Sequence, residues 1–158
     1  MIRLPGAWEK ARAEMDAARA EFGICGDRMI SYADSQKLSY AQACTKETST
    51  KLSASTHRLE PCGDEGRHSI GDRSFPPGTS LSISTPVIHH SKEIWDPDAS
   101  VFNPDRWLSE KPDDLEKFHI PFRIRYNTCS GQHVGEIELS NIIPIIIRDY
   151  DIRQVDPK

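Results

Sequence analysis

The sequence predicts a mainly α fold with small antiparallel β-hairpins. Three observations carry this. Apolar residues recur at steps of three and four in an N-terminal and a C-terminal stretch. Turn signals built on Gly and Pro sit close together at residues 71–78. Prolines and polar runs cut much of the remainder into short pieces.

Pro5 to Phe22 reads as an amphipathic helix. Trp8, Ala11, Met15, Ala18 and Phe22 fall on one face, and Glu9, Lys10, Arg12, Glu14, Asp16 and Arg19 form the wet faces. Pro5 suits a first turn and Gly23 a stop. Asp34 or Ser35 caps a second helix running to about Thr50, with Leu38, Ala41 and Cys44 as its apolar stripe. Its far end, Thr45 to Thr50, is weak in helix propensity. Residues 53–68 are polar and broken by Pro61, Gly63 and Gly66, which makes them a loop.

Ser69 to Phe75 is a hairpin turning at Gly71-Asp72. Pro76-Pro77-Gly78 is a second tight turn, with Gly supplying positive φ. Leu81 and Ile83 alternate with serines as in a half-buried strand. Pro86 to Glu93 predicts a short helix, Trp95 to Leu108 a packed irregular segment, and Lys111 to Lys117 a turn or two of helix. The last long helix runs from Gly131 to about Ile143, with Val134, Ile137 and Leu139 or Ile142 facing inward. Pro144 is expected to bend or end it. Asp149 to Val155 alternates as a final strand.

The 158 residues suffice for one domain with a real core. A net charge of -4 without a long basic stretch argues against nucleic acid as a partner. No run of about 18 apolar residues occurs, so no membrane segment is expected, and Met1 to Pro5 lacks an apolar signal core. The chain as given reads as soluble and reduced. Cys25, Cys44, Cys62 and Cys129 form no C-x-x-C pair, so they read as thiols rather than zinc ligands. His89, His90 and His133 invite a metal reading, but adjacent histidines point apart, so surface polarity is the plainer account. Asp96, Asp98 and Asp105 read as turn formers.

Chemistry concentrates in four segments. Lys46-Glu47-Thr48-Ser49-Thr50 carries an E-x-x-T pattern on a helix. His89 to Pro97 contains a histidine followed by Trp95 and Asp96-Pro97. Phe102-Asn103-Pro104-Asp105-Arg106-Trp107 follows. Phe122 to Gly131 places Cys129 just before a helix, with Phe seven residues upstream and Gly two downstream. A thiol there faces the unsatisfied N–H groups and positive dipole end of that helix, which favour the thiolate.

In this order the four segments resemble the E-x-x-R helix, the H-R-D-P-x-x-W stretch, the P-E-R-F segment and the cysteine loop of the cytochrome P-450 family. The resemblance implies a partial cytochrome P-450 fold, with residues 1–158 forming a single partial domain equivalent to the C-terminal third of a complete member. It implies a haem whose iron is held by Cys129, with Phe122 and Gly131 shaping the cofactor-binding loop. Glu47 and Arg106 take structural roles in a buried charge network. It further implies a monooxygenase that inserts one oxygen atom of O2 into an organic small-molecule substrate, with a reductase as electron donor and, in complete eukaryotic relatives, attachment to the endoplasmic reticulum membrane.

Several positions depart from the family pattern. Thr50 stands for the E-x-x-R arginine, and Lys51 is rotated by about 100° from it, so the network is expected to lack a cation. Losing a buried partner costs about 3–5 kcal/mol. Arg125 stands for a glycine that often takes positive φ, and Asn127 for the usual Arg or His, which leaves Arg123 or Arg125 to meet a haem propionate. No A-G-x-[DE]-T run, the family's oxygen-activating signature, occurs. The fragment is therefore expected to be inactive alone. The competing reading is a non-catalytic remnant or interaction module without haem.

Overall fold

Sixteen residues, Ala7–Phe22, form α1, flanked by two left-handed glycines, Gly6 (φ 78°) and Gly23 (φ 60°). This is the long N-terminal helix the periodicity predicts, begun two residues late. A computed structural model describes residues 2, 4–23, 29–52, 68–79, 84–109, 112–123, 128–153 and 155. Ala7, Ala11, Met15 and Ala18 are buried, but Phe22 at the end of the predicted stripe is largely exposed.

The predicted second helix divides. Ser31 Oγ accepts the Asp34 N–H at 3.1 Å and caps α2 (Tyr32–Ser35). After a turn, α3 covers Ser39–Lys51. The cap of α3 is tertiary. Its N-cap, Leu38, offers no side-chain oxygen. The two carboxylate oxygens of Glu14 instead accept the Tyr40 and Ala41 N–H groups at 2.7 and 3.0 Å, so Glu14 is not on a wet face. At the far end Thr45, Thr48 and Thr50 turn their hydroxyls back onto carbonyls four residues earlier, and burial of Cys44, Glu47 and Thr50 holds these weak helix formers in place.

The hairpin is as the turn signal predicts. Strands β1 (His68–Ile70) and β2 (Arg73–Phe75) pair antiparallel, and Gly71 takes φ 56° at the turn. Gly78 takes φ 78° in the next turn. Leu81 and Ile83, most of the 53–68 loop, Cys25, Cys62, Arg125 and Asn127 lie outside the described residues. The single helix expected at Pro86–Glu93 is two short ones, α4 (Thr85–His89) and α5 (Lys92–Trp95). A 3₁₀ helix, Pro104–Leu108, follows, then α6 (Pro112–Glu116).

The last helix, α7, covers Gln132–Asp149 and runs through Pro144. Pro144 removes one ladder hydrogen bond. Burial of Ile147 and Pro144 against α1 and α3 holds the turn beyond it. The residues expected inward are the exposed ones: Val134, Ile137, Leu139 and Ile142 face solvent, while Ser140, Pro144 and Ile147 face in. No strand is present among the described residues of 149–155, because no neighbouring strand pairs with that segment.

Two apolar clusters result. One joins α1, α3 and α7 through Met15, Leu38, Tyr40, Cys44 and Ile147. The other joins Ala43, Trp95, Ala99 and Trp107. The fold is mainly helical with one small antiparallel sheet, as predicted. Among the described residues no helix is long and apolar enough to cross a membrane.

Candidate functional site

Helix α3 and the 3₁₀ helix bring Glu47 and Arg106 together. Arg106 Nε lies 3.3 Å from Glu47 Oε2, and the Glu47 side chain is fully buried. Every donor that a buried carboxylate needs is present. Asn103 N–H donates to Oε1 at 3.0 Å and the Trp107 indole N–H donates to Oε2 at 2.9 Å.

Lys51 completes the network, contrary to the expectation that it points away. Its Nζ is 3.5 Å from Glu47 Oε1, its side chain is only 10% exposed, and it donates to the Ala99 carbonyl. The reason is helical spacing: positions i+3 and i+4 both flank residue i, so a long flexible lysine at i+4 reaches the same carboxylate that an arginine at i+3 would. Burial pulls the Lys51 ammonium below its ordinary value of 10.5, and Glu47 holds it up. Thr50 is buried and its hydroxyl bonds to the Lys46 carbonyl at 2.9 Å.

Asp98 is the fourth member, not merely a turn former. It accepts from the Asn103 amide at 2.9 Å and from Arg106 Nη2 at 3.2 Å, and these donors hold its carboxyl below the usual carboxylate range. Two carboxylates thus face two cations, and the group balances its own charge. The i, i+4 spacing of Glu47 and Lys51 was the sequence signal for Lys51. Asp98 had none, because its partner is eight residues away across a turn.

His89 is also misplaced by the surface reading. It is fully buried, and both ring nitrogens are bonded: Nδ1 to the Thr50 carbonyl and Nε2 to the Ile120 N–H, each at 3.1 Å. A backbone N–H only donates and a carbonyl only accepts, so the ring is neutral with its proton on Nδ1. Burial pushes the imidazole below its ordinary value of 6.5. His89 meets Trp95 edge-on with centroids 6.0 Å apart.

The cysteine loop begins where that histidine ends. Arg123 N–H donates to the Ile120 carbonyl at 3.1 Å, and Cys129 N–H donates to the Phe122 carbonyl at 2.9 Å. Left-handed backbone occurs at Arg123 (φ 66°), a conformation costing a non-Gly residue roughly 1–2 kcal/mol. Phe122 packs against α7 so closely that a Cβ at Gly135 would lie 3.6 Å from its ring.

Cys129 is an exposed free thiol just ahead of α7. Gly131 is the N-cap, with ordinary φ of -88°, no capping side chain and no acidic residue in the first turn. The dipole end near the sulfur is therefore not offset by a local carboxylate. A Cβ at Gly131 would stand 3.8 Å from Cys129 Sγ, so this face of α7 is the one beneath the sulfur. Val134, three residues on, is 60% exposed, and Ile142, eleven on, is 53% exposed. Positions i, i+3 and i+11 share a face. A reachable thiol therefore stands ahead of a helix face on which Val134 and Ile142 are exposed, with the exposed Glu138, seven residues on from Gly131, between them.

A separate polar cleft of about 360 Å³ lies behind the loop, lined in part by Lys46, His119, Phe122 and Glu136. Cys129 does not line it. No group of three or more metal-binding side chains occurs among the described residues.

These features agree with comparison to known proteins. The profile of the cytochrome P-450 family matches residues 1–158. The chain is 29% identical over 161 residues to a cytochrome P-450 monooxygenase of Aspergillus terreus, covering 98% of this chain and 32% of that protein. It is 28% identical over 160 residues to another from Emericella nidulans, covering 100% of this chain and 31% of the relative. It is 31% identical over 126 residues to pisatin demethylase of Fusarium vanettenii, covering 80% of this chain and 24% of that enzyme. The chain thus spans a third or less of the length of these relatives. With Glu47 and Arg106 paired and Cys129 open at the head of α7, the chain belongs to the cytochrome P-450 family.

Proposed function

We propose that this chain is the haem-ligating portion of a monooxygenase that inserts one oxygen atom of O2 into an organic substrate, with electrons from a reductase. The observation that carries the reading is the exposed Cys129 thiol at the N-terminus of α7, with the exposed apolar side chain of Val134 on the helix face beside it. Haem supplies the oxygen chemistry when bound, and a thiolate ligand pushes electron density that favours O–O cleavage.

The residues of the chain do the holding. Gly131, the N-cap of α7, keeps the backbone close to the sulfur. The Phe122 carbonyl fixes the Cys129 backbone, and Phe122 wedges against Gly135. Val134 and Ile142 offer apolar area that a porphyrin face would cover and dry. Glu47, Arg106, Lys51 and Asp98 brace the layer behind. Substrate selection and oxygen activation belong to the larger assembly in this reading, so the isolated 158 residues bind haem without turnover.

The test is the carbon-monoxide difference spectrum of reduced protein reconstituted with haem. A thiolate-type Soret band is expected in the wild type. It is absent in Cys129→Ser, whose urea midpoint stays at the wild-type value because the side chain is exposed. A wild-type protein without the band overturns the haem reading and favours the remnant.

A further inference from the structure

We propose that His89 is the positioning residue of the cysteine loop, and this rests on the reading that Cys129 serves as a ligand. Thr50 and Ile120 are far apart in sequence, and one imidazole joins them. On one side the ring satisfies a carbonyl in the last turn of α3, which has no partner within the helix. On the other it receives the Ile120 N–H, and Ile120 is the buried residue from which the loop departs.

The connection then continues residue by residue. The Ile120 carbonyl receives the Arg123 N–H, which closes the turn carrying Phe122. The Phe122 carbonyl receives the Cys129 N–H. Four hydrogen bonds therefore run from the end of α3 to the amide of the residue that bears the thiol. The charge network grips α3 one turn before Thr50, at Glu47, and from the next residue, Lys51. His89 is where that rigidity passes to the loop. Its ring cannot swing away, because Trp95 stands edge-on to it and His119 stacks on it, both with centroids 6.0 Å apart.

The two ring nitrogens have different tasks, and two substitutions separate them. An asparagine amide reaches the place of Nδ1 and keeps the bond to Thr50. A glutamine oxygen reaches the place of Nε2 and keeps the acceptor for Ile120. Amide hydrogen exchange of the full chain without haem reads the loop directly. In His89→Asn the Ile120, Arg123 and Cys129 amides are expected to exchange about fivefold faster, the ratio for losing one hydrogen bond's worth of local stability. In His89→Gln they stay near wild type. The Tyr40 and Ala41 amides, held by Glu14 elsewhere in the fold, stay unchanged in both.

Equal exchange at Cys129 in wild type and His89→Asn overturns the proposal. So does acceleration that includes Tyr40 and Ala41, which marks general loosening, or a wild-type Cys129 amide with no protection. With haem added, His89→Asn is expected to shift the carbon-monoxide band away from the thiolate position while His89→Gln retains it. A wild type lacking that band defeats the ligand reading alone, and the exchange pattern still decides whether His89 sets the loop.

Discussion

The layer behind the cysteine loop and the helix that follows the loop solve opposite problems. In the layer, Glu47, Arg106, Lys51 and two tryptophans are packed out of water with Asp98 at the rim, and every oxygen of Glu47 has a donor. On α7, Val134, Ile137, Leu139 and Ile142 remain wet, while the buried face of the same helix includes a serine and a proline. The charged network is inside and these apolar side chains are outside. The charges are inside because they satisfy one another in a neutral group. The apolar side chains are outside because none of the described residues covers them. In the proposed function, Val134 and Ile142 meet the porphyrin.

Disturbing the layer has the largest expected effect. Glu47→Ala leaves the Arg106 and Lys51 cations facing each other without a carboxylate between them, and stability falls by about 3–5 kcal/mol in urea denaturation. A change under 1 kcal/mol would show that the network is ornamental.

Acid comes next. Burial pushes His119 down to about 4, against an ordinary value of 6.5, with Glu116 opposing the shift and Lys46 and His89 adding to it. His119 also lies 3.0 Å from Ser49 Oγ. The folded form holds this ring neutral, so the unfolded chain takes up the proton first as pH falls. The contribution is fully present above pH 6.5 and is lost between 6.5 and about 4, at a cost on the order of 3 kcal/mol. His89 shifts in the same direction. Urea midpoints measured across that range should decline steadily, and His119→Gln should flatten the decline. A flat wild-type profile contradicts the burial of the two rings.

Lys51→Met keeps most of the stem and removes the charge. Glu47 retains Arg106, so the loss is smaller, about 1–2 kcal/mol for the orphaned Ala99 carbonyl and the missing ion pair. A double variant with Thr50→Arg sharpens the comparison: recovery of the lost stability shows that one cation at either position serves the carboxylate. At the other extreme, Val134→Ser on α7 should change the stability of the haem-free chain by no more than about 0.5 kcal/mol, since the side chain is already in water. The same substitution should weaken haem retention, measured by transfer of haem to an acceptor protein. A large loss of stability without haem would mean that this face is covered after all.

Much of this was legible in the chain. The α1 stripe, the Gly71 hairpin, the Gly78 turn and the helix after Cys129 follow from local rules acting within a few residues. The pairing of Glu47 with Arg106 followed from motif resemblance. Burial, by contrast, was read wrongly at Glu14 and His89, whose partners are distant and carry no motif. Glu14 looked solvated until α3 placed two amides against it. His89 looked like a surface residue until Thr50 and Ile120 closed on it. The apolar residues of α7 looked inward because amphipathic logic assumes that the apolar face has a neighbour.

By itself the sequence determined the class of the fold, the positions of its turns and the placement of a cysteine just before the last helix. These depend on backbone preference, on helical period and on the chemistry of a thiol before a helix. Only the tertiary structure decided which polar groups are buried and which apolar ones are not. Desolvation depends on what arrives from elsewhere in the chain, and Lys51, Asp98 and His89 acquired their roles only when three separated segments met.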